Sequence, residues 1–452
     1  MPELVGDERF AEAAPSVQPQ AEADNHGADD HADDHTADAS SAPLTQSSDM
    51  SAEAAADAPY SVWGSAFRAA LAAWVVAHIV IIAVQDLAQR VTPKYSAQMP
   101  NGPQIFHMFN QLYTWDTAWY AGIAQYGYHG VASDGVRFWP LMPLTTRAVA
   151  ATGIGALTAV LVVAWAGALL FGMLMYRLAL AVGGDAVTAR RAAWLSQLAP
   201  GAFVLVMGYT EALAGVFAAA YLIAIRQSAR RAKGSNPADQ GSMNQGSNRQ
   251  VWLWHAAGFL AGLGSGLVRP TGLLLAAAGG IEVLRQWRDP KRHLAARVLV
   301  AISPPMGTGI YLLWSHHVYG NYTLPYTIQK LEGLRGTYAG NPLTSALDSV
   351  NQVGNGAGAF TLVLVVTSIG LLGASVRRLP VSYTVWAAIS LLAAITAPHF
   401  SSFARYSAGI LPLLLVAALM TRDWRRWAWV VGLCTALCAY FAYQSFIGIY
   451  IP

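Results

Sequence analysis

The sequence predicts an all-α polytopic membrane protein, and three observations carry that expectation. Hydrophobic residues make up 54% of the 452 and charged residues only 12%, with a mean hydropathy of +0.36. Soluble globular chains carry roughly 25% charged residues, so a chain of this length cannot clothe a water-facing surface with half that share. The apolar residues fall in runs long enough to cross roughly 30 Å of hydrocarbon, and the basic residues cluster between those runs. Most cytosolic enzyme classes are excluded, and the basic clusters are no footprint for nucleic acid. Cys434 and Cys438 lie four apart in one apolar run and read as small buried side chains, so no disulfide framework is implied.

In chain order, residues 1–57 hold 14 Asp and Glu against a single basic residue, Arg9, while the other 395 hold 11 acidic and 27 basic residues. The Ala/Asp/Ser-rich tail cannot bury enough apolar surface to offset its ordering entropy, and disorder is expected. Its His26, His31 and His35 read as part of a solvated acidic segment. Residues 58–452 form one multi-span domain. The apolar run 65–86 begins too far along to be a cleaved signal and reads as a signal anchor. Further spans are expected near 155–176, 190–207, 210–226, 252–268, 270–285, 296–317, 358–376, 380–398, 404–420 and 427–448, about eleven in all. The run 138–150, with Pro140 and Pro143, is too short and Pro-broken to span and reads as a re-entrant or interfacial helix.

Orientation follows from the basic residues. Arg190 and Arg191, Arg226 to Lys233, Arg285 to Arg292, Arg377 and Arg378, and Arg422 to Arg426 occupy alternate loops, which are therefore expected to be cytoplasmic. The Gly/Ser/Asn/Gln-rich loop within 227–251 is expected to be flexible. The long loops 87–137 and 318–357 then face the other compartment. Asp116, Asp134, Arg137, Glu211, Arg269, His316, His317, His399 and Arg405 fall on that same face.

Several of these residues can carry chemistry. The segment Tyr113 to Tyr128 has helical spacing, with Trp115, Trp119 and Ile123 on one stripe and Asp116 with Tyr120 on the next; it reads as a short interfacial helix anchored by aromatics. Asp116 is either a general base at the boundary of hydrocarbon and water or a cap of its own helix. Asp134 lies in an Asp-Gly turn signal, and Arg137 is a snorkelling cation or a phosphate ligand. Glu211 sits between two spans, where an acid is costly and commonly functional, although Thr210-Glu211 also suits a helix start. Arg269 at a Pro-marked turn and Arg405 have no acid nearby in sequence, so their counter-charge is a distant residue or a ligand. For phosphate recognition we rank Arg405 first and Arg269 second, with Arg137 and His399 behind them. Trp115, Tyr120, Tyr209 and Tyr406 flank these charges as candidate pocket residues. His316 and His317 are adjacent and point to different helix faces, which argues against a chelating pair. No Walker loop, HExxH, GxSxG elbow or zinc spacing is found, and no metal or cofactor is expected. A pocket of carboxylates and arginines suits sugar transfer from a lipid phosphate: the carboxylate takes the acceptor's proton and the arginines stabilise the departing phosphate.

The ordered motifs Trp115-Asp116, Ile123-Ala-Gln-Tyr-Gly-Tyr128, Phe138-Trp-Pro-Leu-Met-Pro143, Tyr209-Thr-Glu-Ala-Leu213, Arg269-Pro-Thr-Gly272 and Arg405-Tyr406 resemble the bacterial relatives of the PIG-V mannosyltransferases over roughly 60–450. The resemblance implies an inverting, multi-span glycosyltransferase of GT-C type, using a polyprenyl-phosphate mannose donor in the bacterial plasma membrane; it does not fix the acceptor, and an extracytoplasmic lipid or glycan is expected in that role. It places the family's first-loop aspartate on Asp116 and its Tyr-Ser-Glu motif on Tyr209-Thr210-Glu211. The family's Arg-x-Asn-Gly reads Arg269-Pro-Thr-Gly here, losing the amide. The rival classes are a secondary transporter or flippase of a lipid-linked or small polar substrate, which usually shows inverted repeats, and a noncatalytic assembly factor.

The topology makes a direct prediction. Cysteine labelling of intact cells with an impermeant reagent should modify sites in 87–137 and 318–357 and spare 227–251; labelling within 227–251 would overturn the orientation.

Overall fold

The computed structural model describes residues 59–91, 112–234, 244–287, 293–330, 340–351, 357–397, 400 and 402–449. The acidic tail and His399 lie outside the described residues. Four helices open the chain: α1 (Pro59–Val91), α2 (Asp116–Tyr126), α3 (Leu141–Ala150) and α4 (Ala156–Ala181). Five follow, namely α5 (Ala186–Leu198), α6 (Glu211–Gly234), α7 (Asn244–Val268), α8 (Leu275–Arg285) and α9 (Leu294–Tyr319). The last part holds α10 (Leu324–Thr327), α11 (Pro342–Asn351), α12 (Ala357–Ser375), α13 (Val381–Ile395), α14 (Phe403–Ala408), α15 (Leu411–Met420) and α16 (Trp424–Phe446). No strand is present among the described residues.

Seven of these helices, α1, α4, α6, α7, α9, α12 and α16, are long and apolar enough to cross a membrane, and α13 and α15 are apolar but shorter. The chain is an all-α polytopic membrane protein. Seven of the eleven expected spans are single long helices; the other four are shorter or broken, for local reasons. The run 190–207 stops as a helix at Leu198, before Pro200-Gly201, and resumes as a 3-10 turn over Ala202–Leu205. The run 270–285 begins with a 3-10 turn, Pro270–Leu274, because proline cannot extend a preceding helix. The run 404–420 splits into α14 and α15 at Gly409-Ile410, with Pro412 in the first turn of α15, and 380–398 yields the fifteen residues of α13. Within 138–150, Pro140 precedes the ten-residue α3. The expected aromatic helix is α2, eleven residues beginning at Asp116. Of the flexible loop expected over 227–251, α6 and α7 take up both flanks, and 235–243 lies outside the described residues.

Small residues let the long helices approach. Gly258, Gly262 and Gly266 recur at four-residue spacing on α7 and face α9: an added Cβ would lie 2.0 Å from Ser303 Oγ at Gly262 and 2.1 Å from the Pro304 carbonyl oxygen at Gly266. Helices that meet through glycine bring backbone against backbone, the packing that serves where no hydrophobic force acts between them. On α1, Ala66, Ala69, Ala70, Ala73 and Ala77 are all buried.

The alternating helices separate two chemistries at their ends. At one end Arg177 lies over Trp63, Arg191 donates to the Thr421 carbonyl and lies over Trp427, Arg231 meets Gln250, and Arg297 donates to the Gln286 carbonyl at 3.2 Å. The opposite end gathers the start of α2, the start of α6, the end of α7 and all of α14, and with them Asp116, Glu211, Arg269 and Arg405.

The glycine stripe is testable by thermal unfolding in detergent. Gly266→Ala must push α7 away from the α9 backbone and should cost about 1–3 kcal/mol, whereas Gly280→Ala, where an added Cβ meets nothing within 4 Å, should be neutral or stabilising. Equal melting of the two variants would refute the close approach.

Candidate functional site: four charges beside a cavity

Three short-range devices bring the charges together. The α2 helix starts at Asp116 because Trp115 takes φ 58°, and its indole Nε1 donates to the Ser445 carbonyl at 3.3 Å. The first turn is then stitched to the loop before α6: the Gly208 N–H donates to Thr117 Oγ1 at 3.1 Å, and the Asp116 N–H donates to the Tyr209 hydroxyl at 3.4 Å. Arg147 closes the far end of α2 by donating to the Ala124 carbonyl at 2.7 Å and the Ile123 carbonyl at 3.3 Å. The α14 helix follows Phe400 at φ 50° and Ser402 at φ 59°. Trp115, Phe400 and Ser402 are the described non-glycine residues with positive φ, and such residues cost on the order of 1–3 kcal/mol each, so they persist only where the surroundings fix them. Here they introduce the two helices that carry Asp116 and Arg405. Gly201 lets the 3-10 segment press on α14, since a Cβ there would stand 1.9 Å from the Ala404 carbonyl oxygen.

The resulting geometry is a chain of alternating charges. Asp116 Oδ2 lies 3.1 Å from Arg405 Nη1, Arg405 Nε lies 3.2 Å from Glu211 Oε1, and the same Oε1 accepts from Arg269 Nη1 at 2.9 Å. The Nε contact lacks hydrogen-bond geometry, and Glu211 Oε2 has no hydrogen-bond partner among the described residues. The Arg405 and Glu211 side chains are 8% and 6% exposed, those of Arg269 and Asp116 15% and 28%. Burial deepens along the chain toward Arg405 and Glu211, leaving the terminal members more accessible. Arg405 Nη2 also donates to the Tyr406 hydroxyl at 3.3 Å, and its guanidinium lies over the rings of Tyr209 and Tyr406. Burial first, and then the negative charge of Asp116, hold the Tyr209 hydroxyl well above the ordinary tyrosine range; burial, Asp116 and Glu211 do the same for Tyr120. Both phenols therefore stay neutral.

A cavity of about 310 Å³ opens beside this chain, lined by Glu211, Arg269, Arg405 and Tyr406 on its polar side and by residues such as Phe171, Leu274, Trp386 and Ala394 on its apolar side. Tyr326 and Gln329, from the long segment after α9, complete it. Asp116 is not among the lining residues; Arg405, which it contacts, is. Arg137 is elsewhere, stacked 4.8 Å from the Phe138 ring centroid and 5.7 Å from that of Trp119. Asp134 lies in a 3-10 turn, partly exposed. His316 is exposed and stacks on Tyr322 at 3.9 Å, and His317 is exposed beside it. Among the described residues no group of three or more His, Cys, Asp or Glu side chains is placed to hold a metal ion.

Sequence reasoning missed Thr117, Arg147 and the cavity residues Tyr326 and Gln329. Thr117 and Arg147 act through backbone groups of distant segments, for which no sequence pattern exists. Gly201, next to Pro200, had a visible turn signal whose partner was not.

The sequence matches no protein-family model and no curated protein. Among solved structures it is similar to the Archaeoglobus fulgidus oligosaccharyltransferase. In the form tethered with an acceptor peptide containing the NVT sequon the identity is 12% and the TM-score 0.43, covering 85% of this chain and 56% of that one. For the apo form the values are 13% and 0.43, covering 84% and 56%. For the complex with an inhibitory peptide and a dolichol-phosphate they are 12% and 0.40, covering 84% and 56%. This chain thus spans little more than half the length of those proteins. Likeness at this distance transfers neither substrate nor residue roles.

The charge chain predicts a strong response to removal of its centre. Glu211→Gln leaves two guanidinium groups facing a neutral amide and should lower stability by on the order of 3–5 kcal/mol. The double variant Glu211→Gln/Arg269→Gln should recover part of that loss in the same thermal unfolding measurement. A single variant that melts with the wild type would show that the ion pairs are not holding the site.

Proposed function

We propose that the protein is a membrane glycosyltransferase that transfers a hexose, by the family resemblance mannose, from a polyprenyl-phosphate donor to a lipid or glycan acceptor with inversion. The observation that carries this reading is the pairing of two carboxylates with two arginines at the edge of an apolar-walled cavity, at the end of the helices opposite the basic clusters. The positive-inside rule favours a cytoplasmic place for the basic loops, which supports reading the site as extracytoplasmic.

The chemistry follows from the groups present. A donor of this class has a phosphate head, which matches the planar cationic forks of arginine, and an isoprenoid tail, which matches the cavity's apolar wall. The acceptor oxygen forms a bond to the anomeric carbon as its proton passes to a carboxylate. The bond from that carbon to the phosphate oxygen breaks, and its electron pair leaves with the phosphate. Asp116 is the base in this reading: it is the more accessible carboxylate, Arg405 fixes its Oδ2, and it occupies the position of the first-loop aspartate in the resembled family. Glu211 is the second candidate. No cofactor enters the reaction.

Purified protein in liposomes, supplied with radiolabelled polyprenyl-phosphate mannose and a membrane-lipid extract, should place label in a new lipid or glycan. Label taken into the vesicle lumen without a covalent product would select a transporter instead. Asp116→Asn should insert and bind donor yet lose about 10² to 10⁴ in rate. Wild-type turnover in that variant, with collapse in Glu211→Gln, would move the base to Glu211.

A further inference from the structure

Resting on the glycosyl-transfer reading, we propose a division of labour between the two arginines: Arg269 receives the departing phosphate, and Arg405 is a positioning residue that holds the two carboxylates. This reverses the ranking drawn from sequence. In an inverting transfer the base and the leaving group act on opposite faces of the sugar, so the ring stands between them. In inverting glycoside hydrolases the two groups flanking the sugar are about 6.5–9.5 Å apart for that reason. Asp116 Oδ2 and Arg405 Nη1 are 3.1 Å apart, which leaves no room for a ring between a base at Asp116 and a phosphate on Arg405. Arg269 contacts Glu211 and not Asp116.

Each nitrogen of Arg405 faces a protein oxygen, Nη1 on Asp116, Nε on Glu211 and Nη2 on Tyr406, and its side chain is 8% exposed. Of the Arg269 nitrogens only Nη1 meets an oxygen among the described residues. Its side chain is about twice as exposed as that of Arg405 and lines the cavity. Arg405 makes two hydrogen bonds and a further close ion contact to protein oxygens and Arg269 a single hydrogen bond, so an oxyanion arriving from the cavity finds more unused donors on Arg269.

Arg405 sits on a six-residue helix introduced by the positive φ of Ser402 and braced by the close approach of Gly201 to the Ala404 carbonyl. Moving its guanidinium away would leave the Asp116 carboxylate without its cation and strip one of two cations from the buried Glu211. Arg269 is in extended conformation at the start of a 3-10 turn, beyond the last residue of α7, held by one ion pair to Glu211 and by the ring of Tyr406.

In the proposed step the acceptor hydroxyl proton passes to Asp116, the acceptor oxygen bonds to the anomeric carbon, and the phosphate leaves with the bonding pair to be held by the free donors of Arg269. The test separates binding from turnover, using the full chain in nanodiscs, a radiolabelled short-chain polyprenyl phosphate as the binding probe, and polyprenyl-phosphate mannose as the substrate. Arg269→Ala should weaken binding of the polyprenyl phosphate tenfold to a hundredfold, the loss typical of a truncated hydrogen bond to a charged group. Arg405→Lys keeps the charge without the fork; it should leave that binding within about threefold while kcat falls by tenfold or more. Arg405→Ala should show the same split if it folds. Equal or greater loss of binding in Arg405→Lys than in Arg269→Ala would overturn the division. Wild-type protein that binds no polyprenyl phosphate would overturn the glycosyl-transfer reading itself, a result distinguishable because it precedes any comparison of variants.

Discussion

Arg405 is a fixed cation buried within a bundle of apolar helices, and an ion in that position is tolerated only when other charges and hydrogen-bonding groups replace its water. Its partners come from far along the chain: Asp116 is 289 residues away and Tyr406 adjacent, and Glu211 brings Arg269 as a second cation, 58 residues from it. Two negative and two positive groups make the cluster formally neutral. The penalty of leaving any one of them alone fixes the relative placement of four segments that local propensity leaves free, namely the starts of α2 and α6, the end of α7, and α14.

That constraint explains where the backbone departs from regularity. The residues at Trp115, Phe400 and Ser402 adopt conformations that side chains disfavour, and all three introduce helices bearing a member of the cluster. The same logic applies to close approaches: Gly201 against Ala404, Gly208 against Thr117, and Gly272 against the Ser265 carbonyl. Each lies within a few residues of a charge and brings one carrier segment against another or against its own helix. Elsewhere the packing is of the ordinary membrane kind, with Ala and Gly letting helices meet along their length.

The legible part of this structure was what periodicity and composition encode. The apolar runs gave seven long helices directly, and the spacing of Trp115, Trp119 and Ile123 gave α2. Breaks inside apolar runs were harder to see, because hydropathy averages over the Pro200-Gly201, Pro270 and Gly409-Ile410 interruptions that end a helix without ending its hydrophobicity. Candidate charges were legible one at a time, since Glu211, Arg269 and Arg405 are out of place in apolar surroundings. Their pairing was not: the absence of a nearby acid left a distant residue and a ligand equally open, and only the fold shows that carboxylates fill that role. Nor could sequence show that Arg405 lines the cavity and Asp116 does not.

A neutral cluster has a consequence for the chemistry proposed here. Two unpaired arginines in this location would collect any anion and would have no fixed orientation, whereas carboxylates hold them in place before a ligand arrives, which is the preorganisation that makes electrostatic stabilisation effective. A sugar phosphodiester carries one negative charge, and its cleavage leaves a phosphate monoester that gains another. In the same step Asp116 takes up the acceptor's proton and loses its charge. The cluster moves from neutral to a single positive charge as the phosphate becomes more negative. Charge lost on the base side reappears on the phosphate side, and the contacts from Asp116 through Arg405 and Glu211 to Arg269 are a physical path along which one change can compensate the other.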